Sequence, residues 1–375
     1  MQQHRPFSRA TWNIYLAFLA VRLFIAFSPG YVHPDEFFQS AEITAGNVFG
    51  FNVDIPWEYQ PELPCRSIII PAITTGIPYL FLKKWIGTNS DHFVTTRALF
   101  LTQRLAFVLV SLVIDWSIVK MARQIRRSPS IALLLVASSY VTLAYHTHPF
   151  SNTVETLVLA LSAVVLGKII QEHDASTTLL TASTSKATTA FHPSATSVHG
   201  SLTLTMWNNL QYNLDKDNLA LHGLHPRFFH LLLNFPVLFG NLAWVGVTTL
   251  ISKVMAREWS SPSKLVTALT YSGICGISVL SSMPHQEARF LTPLILPLVI
   301  SLSGRIARLG RRFWPLWLVL NGVLAIVFGV IHQAGLVPAM GLIQSQSLGF
   351  QDCQGVGSSM DHILCTNDPS KPGKF

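Results

Sequence analysis

Charged residues are scarce in this sequence. Asp, Glu, Lys and Arg make up only 12% of its 375 residues, and 50% of the residues are hydrophobic, whereas soluble domains average about 25% charged residues. The mean hydropathy is +0.41. This composition excludes an ordinary water-soluble domain and predicts that most of the chain lies in a membrane.

Cysteine is scarce as well, and its placement carries no metal signature. The four cysteines, Cys65, Cys275, Cys353 and Cys365, match no zinc spacing, and no His-x-x-x-His or Glu-x-x-His pattern occurs. The sequence therefore predicts no metal site. A C-terminal tail in an oxidising compartment would allow a disulfide between Cys353 and Cys365, and two free thiols are the alternative.

Basic residues outnumber acidic ones, and the formal net charge of +8 could suggest a nucleic-acid partner. The cations instead gather in short clusters beside apolar runs, within residues 120–127 and 305–312. Cytosolic loops that fix the orientation of membrane helices have this character. We therefore expect no nucleic acid among the partners.

Apolar runs about as long as a transmembrane helix recur along the chain. The first could also be a signal peptide, but it lacks an evident small-residue cleavage site. A shorter run at 68–82 holds two prolines, which a straight helix does not accommodate, so we expect it only to dip into the membrane. The sequence predicts an all-α fold, a polytopic transmembrane helical bundle, with spans at about 12–29, 97–119, 130–145, 154–170, 228–251, 265–282, 290–303 and 313–336.

The positive-inside rule places the N-terminus and the 120–127 cluster in the cytosol and residues 31–96 on the opposite side. This segment has many carboxylates and few cations, which suits a lumenal loop that carries chemistry. We call residues 31–66 the first loop. The acidic residues of this part of the chain are Asp35, Glu36, Glu42, Asp54, Glu58 and Glu62.

The same counting raises a problem in the middle of the chain. Residue 171 falls in the cytosol and residues 206–227 fall in the lumen, so an odd number of crossings must separate them. The intervening segment 172–204 is rich in Ser and Thr and has no apolar run of spanning length. We predict that an internal piece with membrane spans is missing there, between an N-terminal membrane region (1–171) and a C-terminal membrane region (205–337) that precedes a polar tail (338–375).

The sequence Tyr-Val-His-Pro-Asp-Glu-Phe-Phe-Gln-Ser at 31–40 directly follows the first span. Two adjacent carboxylates and an imidazole are costly to keep at a membrane interface without a use. An inverting sugar transfer needs a carboxylate that accepts the proton of the attacking hydroxyl, and Asp35 or Glu36 could do this. Equally, Asp35 could cap the next helix, and spacing alone leaves both readings open.

His-Pro-Asp-Glu followed by Phe-Phe-Gln-Ser resembles the signature of the dolichol-phosphate-mannose-dependent mannosyltransferases of the GPI-anchor and N-glycan pathways, which have the GT-C fold. Trp57-Glu58-Tyr59, Cys65-Arg66-Ser67 and the Ser-Asn-x-x-Glu element at 151–155 also resemble that family. The segments 218–227, with His-Gly-Leu-His-Pro-Arg, and 284–291 resemble the branch that adds the fourth mannose to the GPI precursor. Together the matches flank nearly all of the chain outside 171–205.

The resemblance implies a multi-pass enzyme of the endoplasmic reticulum membrane with a lumenal active site and no cofactor. It implies transfer of mannose from dolichol-phosphate-mannose to the trimannosyl GPI precursor, with inversion to an α-1,2 linkage, Asp35 as general base and Glu36 supporting it. Arg289, beside His285, could pair with the donor phosphate. The expected substrate-binding residues are His33, Gln39, His222, His225, Arg227, His285 and Arg289.

Other readings remain open. A related mannosyltransferase could use another GPI or N-glycan intermediate, and a shortened family product could be inactive, because family members are longer and carry additional spans. A transporter is disfavoured, since the chain shows no internal repeat. The cluster at 222–227 could be a solvated loop. Asn152 and Glu155 could hydrogen-bond sugar hydroxyls or cap the helix that starts near residue 154, and we expect them to cap it.

One carboxylate lies inside a predicted span. Asp115 would be costly facing lipid, and Arg104 lies eleven positions earlier on a similar helical face. We expect Asp115 to face the bundle interior, towards Arg104.

Overall fold

The computed structural model describes residues 7–60, 64–86, 92–177, 205–215, 217–218, 223–258, 261–348 and 364–366. Helices dominate these segments, which confirms the predicted all-α membrane bundle. The exception is a short antiparallel pairing of the strands His92–Val94 and Leu364–Thr366. The α-helices are α1 (Arg9–Phe27), α2 (Glu42–Phe49), α3 (Ile69–Pro71), α4 (Ile77–Ile86), α5 (Thr96–Gln124), α6 (Pro129–Ala137), α7 (Ser151–Thr177), α8 (Thr205–Leu214), α9 (Phe235–Met255), α10 (Lys264–Ser282), α11 (Ile295–Leu309), α12 (Trp314–Ile326) and α13 (Leu336–Leu348).

Wider π-helical turns and tighter 3₁₀ turns join or extend several of these helices. The helix α13 extends past residue 338 into the predicted polar tail, because apolar residues continue through its first turns. The π-helical segments are Phe37–Ala41, Ala72–Gly76, Val141–Tyr145, His230–Asn234 and Val327–Ile331, and the 3₁₀ segments are Trp57–Tyr59, Ala288–Leu294 and Gly310–Arg312.

In the described part of the chain, seven helical stretches are long and apolar enough to cross a membrane. They match seven of the eight spans predicted from the sequence. They are Arg9–Phe27, Thr96–Gln124, Ser151–His173, His230–Met255, Lys264–Ser282, Ala288–Arg312 and Trp314–Gln344.

The eighth predicted span, 130–145, is interrupted. It consists of α6 and the π-helical segment Val141–Tyr145, with a break at residues 138–140. Polar side chains of α12 bind the broken backbone and its neighbours: Asn321 accepts from the Tyr140 amide at 2.6 Å, and Trp317 donates to the Ser138 hydroxyl at 2.8 Å. These residues are buried, so this stretch runs through the interior of the bundle.

The bundle has two chemically different ends. At the basic end the clusters 120–127 and 305–312 meet. Arg127 of the first cluster packs against Gly304, which directly precedes the second cluster. At the other end, which we call the site end, the first loop meets the end of the last π-helical segment, because the Tyr31 amide donates to the His332 carbonyl at 2.9 Å. All the chemically interesting carboxylates of the first loop lie at the site end.

The stretch 68–82, predicted to dip into the membrane, lies in a helical segment, residues 69–86, in which α3, a π-helical turn and α4 follow one another without a break. Its side chains bind other parts of the site end: Thr75 contacts Thr44 at 2.8 Å, and Lys83 donates to the Val48 carbonyl at 2.6 Å. Ile73 and Phe81 remain exposed. The segment therefore stays at the site end, where the π-helical turn accommodates the residues after Pro71.

The prediction that Asp115 faces Arg104 is wrong. Asp115 is buried and pairs with Arg22 of α1 at 2.8 Å, and it also accepts from the Tyr15 hydroxyl at 2.9 Å. Arg104 pairs with Glu36 instead. Eleven residues of α-helix separate Asp115 and Arg104 by about 16 Å along the axis, which is too far for a contact although both lie on one face.

The two flanks of the Ser/Thr-rich segment lie at opposite ends of the bundle. Gln171 donates to the Gln124 carbonyl at the basic end, at 3.0 Å. Asn208 donates to the Pro64 carbonyl of the first loop at the site end, at 3.1 Å. Residues 178–204 lie outside the described part of the chain, so the missing spans stay a prediction.

Candidate active site

The first loop starts at a close crossing of two backbones. A Cβ atom at Gly30 would overlap the carbonyl of Gly329, so only glycine permits this approach. The Tyr31 backbone then pairs with His332 on both sides, since the His332 Nδ1 atom also lies 2.6 Å from the Tyr31 carbonyl. These contacts fix where the His-Pro-Asp-Glu sequence leaves the bundle.

Glu36 is the buried anchor of this loop. Its carboxylate accepts from the Val32 amide at 2.8 Å and pairs with Arg104 at 2.7 Å, and both side chains are fully buried. Arg104 also donates to the Gly30 carbonyl, and His148 lies 3.9 Å from the same carboxylate. Burial raises the pKa of Glu36 to about 7, against the lowering effect of Arg104 and of backbone amides. Glu36 therefore anchors the first loop to α5 through Arg104.

Asp35, the neighbouring carboxylate, points into a more open cluster and is 18% exposed. It accepts hydrogen bonds from Gln39 and from Arg289, which lies 254 residues later in the chain. His33 Nδ1 lies 3.1 Å from it. Burial alone would raise the pKa of Asp35, but the contacts with His33 and Arg289 outweigh burial and lower it to about 2.

Glu287 supplies a second carboxylate to the cluster. It accepts from Arg289, so this one guanidinium bridges Glu287 and Asp35. His33 Nε2 lies 3.8 Å from Glu287. Burial would raise the pKa of Glu287, but the hydrogen bond from His285 and the charge of Arg289 lower it to about 2.

His285 lies beside this second carboxylate. Its Nε2 atom is 2.9 Å from Glu287, and its Nδ1 atom is 3.0 Å from the Gly223 carbonyl. Both ring nitrogens thus face hydrogen-bond acceptors, a geometry that the doubly protonated imidazolium satisfies best. The pKa of His285 is accordingly raised, chiefly by the hydrogen bond to Glu287.

Arg289 is held between aromatic rings as well as carboxylates. It lies in the 3₁₀ segment that precedes α11, and its side chain is only 11% exposed. The guanidinium carbon is 5.9 Å from the Phe150 ring centroid and 5.5 Å from that of Phe290. A planar guanidinium with several donors and a fixed orientation suits a tetrahedral phosphate as well as a carboxylate.

Gln286 ties together the two loops that frame this side of the cluster. Its buried amide donates to the Arg227, Ser281 and Met283 carbonyls and accepts from the His230 amide at 2.7 Å. This network sets the distance between segments 223–230 and 283–287. Gln286 was not among the predicted site residues, because its role depends on contacts with a segment more than fifty residues earlier in the chain, which no local pattern displays.

The structure brings most of the predicted site residues together. Asp35, His33, Gln39, His285 and Arg289 form one cluster. Glu36 is buried next to the cluster. The ring of His225 stacks on that of Phe229, and the His225 and His285 ring centroids are 6.2 Å apart. His222 lies outside the described residues.

Arg227 lies apart from the carboxylate cluster, and its predicted role in substrate binding stays a prediction. Its side chain is exposed and donates to the Ser282 carbonyl at the end of α10. In this position it satisfies a helix carbonyl that would otherwise lack a partner. It does not join the carboxylate cluster.

Glu58 and Arg66 of the first loop belong to the family-like motifs but are not among the predicted site residues. Glu58 pairs with Arg66 at 2.8 Å, and Gln39 lies 3.5 Å from it. Glu287 was also missed, although it stands between two selected residues of one motif. The helix α7 begins at Ser151, three residues before the predicted start, and Asn152 donates to Glu155 at 3.0 Å instead of capping the helix.

The chain resembles a set of known proteins. A "GPI mannosyltransferase 4" from Emericella nidulans is 32% identical over 385 residues, which cover 86% of this chain and 67% of that protein. The human "GPI alpha-1,2-mannosyltransferase 4" is 31% identical over 83% of this chain and 66% of its own length. A "GPI mannosyltransferase 4" from Saccharomyces cerevisiae is 28% identical, over 89% and 72%.

The chain thus spans about two thirds of the length of these relatives. The matched region of 385 residues is longer than the 375-residue chain, so the relative holds residues within that region that have no counterpart here. No solved structure matches the chain. The sequence model of the Alg9-like mannosyltransferase family matches residues 13–196 and 177–358 of this chain. With this match and the membrane-embedded helices, the chain belongs to the Alg9-like mannosyltransferase family, and it is a multi-pass membrane glycosyltransferase.

Proposed function

We propose that this protein transfers mannose from dolichol-phosphate-mannose to the trimannosyl GPI-anchor precursor and forms the α-1,2-linked fourth mannose. The observation that carries the proposal is the pairing of Asp35 with Arg289 at one end of a membrane bundle. A carboxylate and a guanidinium in contact provide a proton acceptor and a phosphate-binding group for one reaction. The names of the similar proteins support GPI as the acceptor class.

The reaction needs a base and a group that stabilises the leaving phosphate. Asp35 accepts the proton of the acceptor hydroxyl while the hydroxyl oxygen attacks the anomeric carbon of the mannose. The bond from that carbon to the phosphate oxygen breaks, and dolichyl phosphate leaves on the opposite face. Attack on a β-linked donor inverts the centre, and Arg289 stabilises the negative charge of the leaving phosphate.

Binding of the donor activates the base. In the structure Arg289 is shared by Asp35 and Glu287, and a carboxylate with a pKa of about 2 is a poor proton acceptor. A donor phosphate competes with Asp35 for the guanidinium. Once Asp35 loses this cation its pKa rises, whereas Glu287 keeps the guanidinium in place.

No metal or other cofactor takes part in this proposal. Asp35 supplies the base, and Arg289 supplies the positive charge that a metal would provide in other phosphate-leaving reactions. Dolichol-phosphate-mannose is the donor substrate, and the GPI glycolipid is the acceptor substrate.

The proposed site faces the lumen of the endoplasmic reticulum. The basic end of the bundle carries the 120–127 and 305–312 clusters, which the positive-inside rule assigns to the cytosol. The site end then lies on the lumenal side. There a lipid-linked donor can present its phosphate at the membrane surface.

The proposal is tested by expression in cells that lack the fourth-mannose enzyme. Four chains are compared: the present chain, its Asp35→Asn and Asp54→Asn variants, and a version with the internal residues of the relatives restored. Asp54 is an exposed carboxylate of the same loop, which makes it a matched control. Mass spectrometry of the GPI precursors counts their mannose residues.

The present chain and Asp54→Asn should add the fourth mannose, and Asp35→Asn should lower the rate by about 10²–10⁴-fold, the usual contribution of a general base. Activity of the restored version alone would mean that the function is assigned correctly and that the short chain is inactive. Undiminished transfer by Asp35→Asn would refute the assigned base. Absence of transfer by all well-expressed versions would refute the function.

A further inference from the structure

A second feature of the site end is a cavity of about 720 Å³ next to the carboxylate cluster. Gln39, which donates to Asp35, forms part of its wall. None of His33, Asp35, Glu287 and Arg289 lines it. The cavity is thus a separate compartment that reaches the proposed base through Gln39. Its size lies within the range of about 300–1,000 Å³ that is usual for ligand sites.

The cavity is a groove that follows α7 into the membrane region. From Ser151 to Ser162, which both line it, α7 rises by about 16 Å. The wall near the site end holds polar groups, and the wall further along α7 includes Val158, which is 56% exposed, and Leu159. The groove therefore offers hydrogen bonds at the lumenal end and apolar contact below, the profile of a lipid with a polar headgroup.

The polar wall suits hydroxyl groups better than phosphate. Among the described lining residues Arg66 is the only cation, and Glu58 pairs with it at 2.8 Å. Gln39, Glu155 and Asn209 supply amide and carboxylate groups that exchange hydrogen bonds with sugar hydroxyls. The donor phosphate is instead expected to bind Arg289. Arg289 and Gln39 both donate to Asp35, and of these two only Gln39 lines the groove.

We infer that this groove binds the acceptor, a glycolipid whose glycan ends in mannose. Its sugar hydroxyls bind Glu155 and Asn209, its lipid portion follows Val158 along α7, and Gln39 directs the attacking hydroxyl to Asp35. This inference rests on the proposed function and adds to it the place and the recognising residues of one substrate. Asp35 then stands between the two substrates, bound to Arg289 on the donor side and to Gln39 on the acceptor side.

The test uses three variants of the full chain. Glu155→Gln removes the charge but keeps a side chain that can bind Asn152, and Val158→Trp fills the apolar part of the groove. Glu172→Gln makes the same change as Glu155→Gln in the same helix, at the basic end, where Glu172 is exposed. Initial rates of mannose transfer give KM for each substrate separately.

Both groove variants should raise KM for a synthetic trimannosyl glycolipid by about tenfold, the effect of one lost hydrogen bond or of obstructed packing. KM for dolichol-phosphate-mannose should stay the same, and Glu172→Gln should match the unmodified chain. A rise in KM for the donor alone would assign the groove to the donor and overturn the inference. Unchanged constants for both substrates would overturn it too.

Binding without turnover separates this inference from the proposed function. Nanodiscs that contain the chain are titrated with the fluorescent trimannosyl glycolipid and no donor. The unmodified chain should bind it, and Val158→Trp should weaken binding by at least tenfold, whether or not the chain transfers mannose. If the chain transfers no mannose but Val158→Trp still weakens glycolipid binding, the result would contradict the proposed activity and support the groove. Equal binding by both chains, or none, would contradict the groove.

Discussion

Asp35 and Glu36 are adjacent residues with opposite surroundings. Glu36 is fully buried against Arg104, while Asp35 lies in the open cluster with Arg289. Residue spacing alone left open which carboxylate acts as base, and only the family resemblance implied Asp35, because adjacent residues share a motif and differ in the direction of the side chain. That direction depends on Arg104, which is 68 residues away from Glu36 in the chain.

The buried pair makes a prediction about stability. Glu36→Gln leaves the buried Arg104 cation without a counter-charge, and should lower the free energy of unfolding by about 3–5 kcal/mol. Glu36→Gln combined with Arg104→Gln removes both charges, so the double variant should be more stable than either single one. Thermal unfolding in detergent measures this, and additive losses would show that the two side chains do not interact.

Arg289 makes a prediction about the donor. Arg289→Lys keeps the charge but loses the planar set of donors that binds two groups at once. We expect KM for the donor to rise and kcat to fall, by about tenfold or more for each lost charge-assisted contact. Arg308→Lys, at the basic end of α11, is the matched control. Equal kinetics for Arg289→Lys and the unmodified protein would exclude bidentate phosphate binding.

The raised pKa of His285 predicts a pH dependence. A histidine whose pKa is higher in the folded state stabilises the fold fully below its unfolded value of about 6.5 and loses this contribution as the pH rises through the folded value. The stability difference between the unmodified protein and His285→Asn should therefore be larger at pH 6 than at pH 9. Unfolding temperatures at both pH values measure it, and a difference that grows with pH would contradict the His285–Glu287 contact.

At the scale of the elements, hydropathy predicts where helices lie but not where they bend. Seven of eight predicted spans match helical stretches, because a run of apolar residues can satisfy its backbone in lipid only as a helix. The break at residues 138–140 depends on Asn321, whose side chain comes from a distant helix. The start of the first loop likewise depends on Gly329, 299 residues after Gly30. Such tertiary contacts leave no local pattern in the sequence.

The crossing of Gly30 and Gly329 makes a prediction for this scale. Gly30→Ala places a methyl group onto the Gly329 carbonyl, so the backbone must shift. We expect a loss of about 1–3 kcal/mol of stability, the usual cost of overpacking, together with reduced mannose transfer. Gly322→Ala lies in α12, where an added Cβ meets nothing within 4 Å. That control should be neutral or slightly stabilising, and equal behaviour of the two variants would rule out a tight crossing.

At the scale of the whole molecule, orientation can be tested directly. N-glycosylation occurs on the lumenal side, so an Asn-x-Ser/Thr acceptor introduced at 52–54, at the site end, should be modified in microsomes. The same acceptor introduced at 256–258, directly after α9 at the basic end, should remain unmodified. Gel mobility with and without glycosidase gives the answer, and the opposite pattern would place the carboxylate cluster in the cytosol.

The contact between Asp35 and Arg289 also orders events during biosynthesis. The loop's brace, Glu36 with Arg104, needs only 68 further residues, whereas the pair with Arg289 needs 254. At about 5–20 residues per second, the ribosome adds the 185 residues from Arg104 to Arg289 in roughly ten to forty seconds. During that interval the nascent chain can hold the Glu36–Arg104 pair, while Asp35 still lacks its cationic partner. Mannose transfer therefore starts only after the C-terminal half has been inserted.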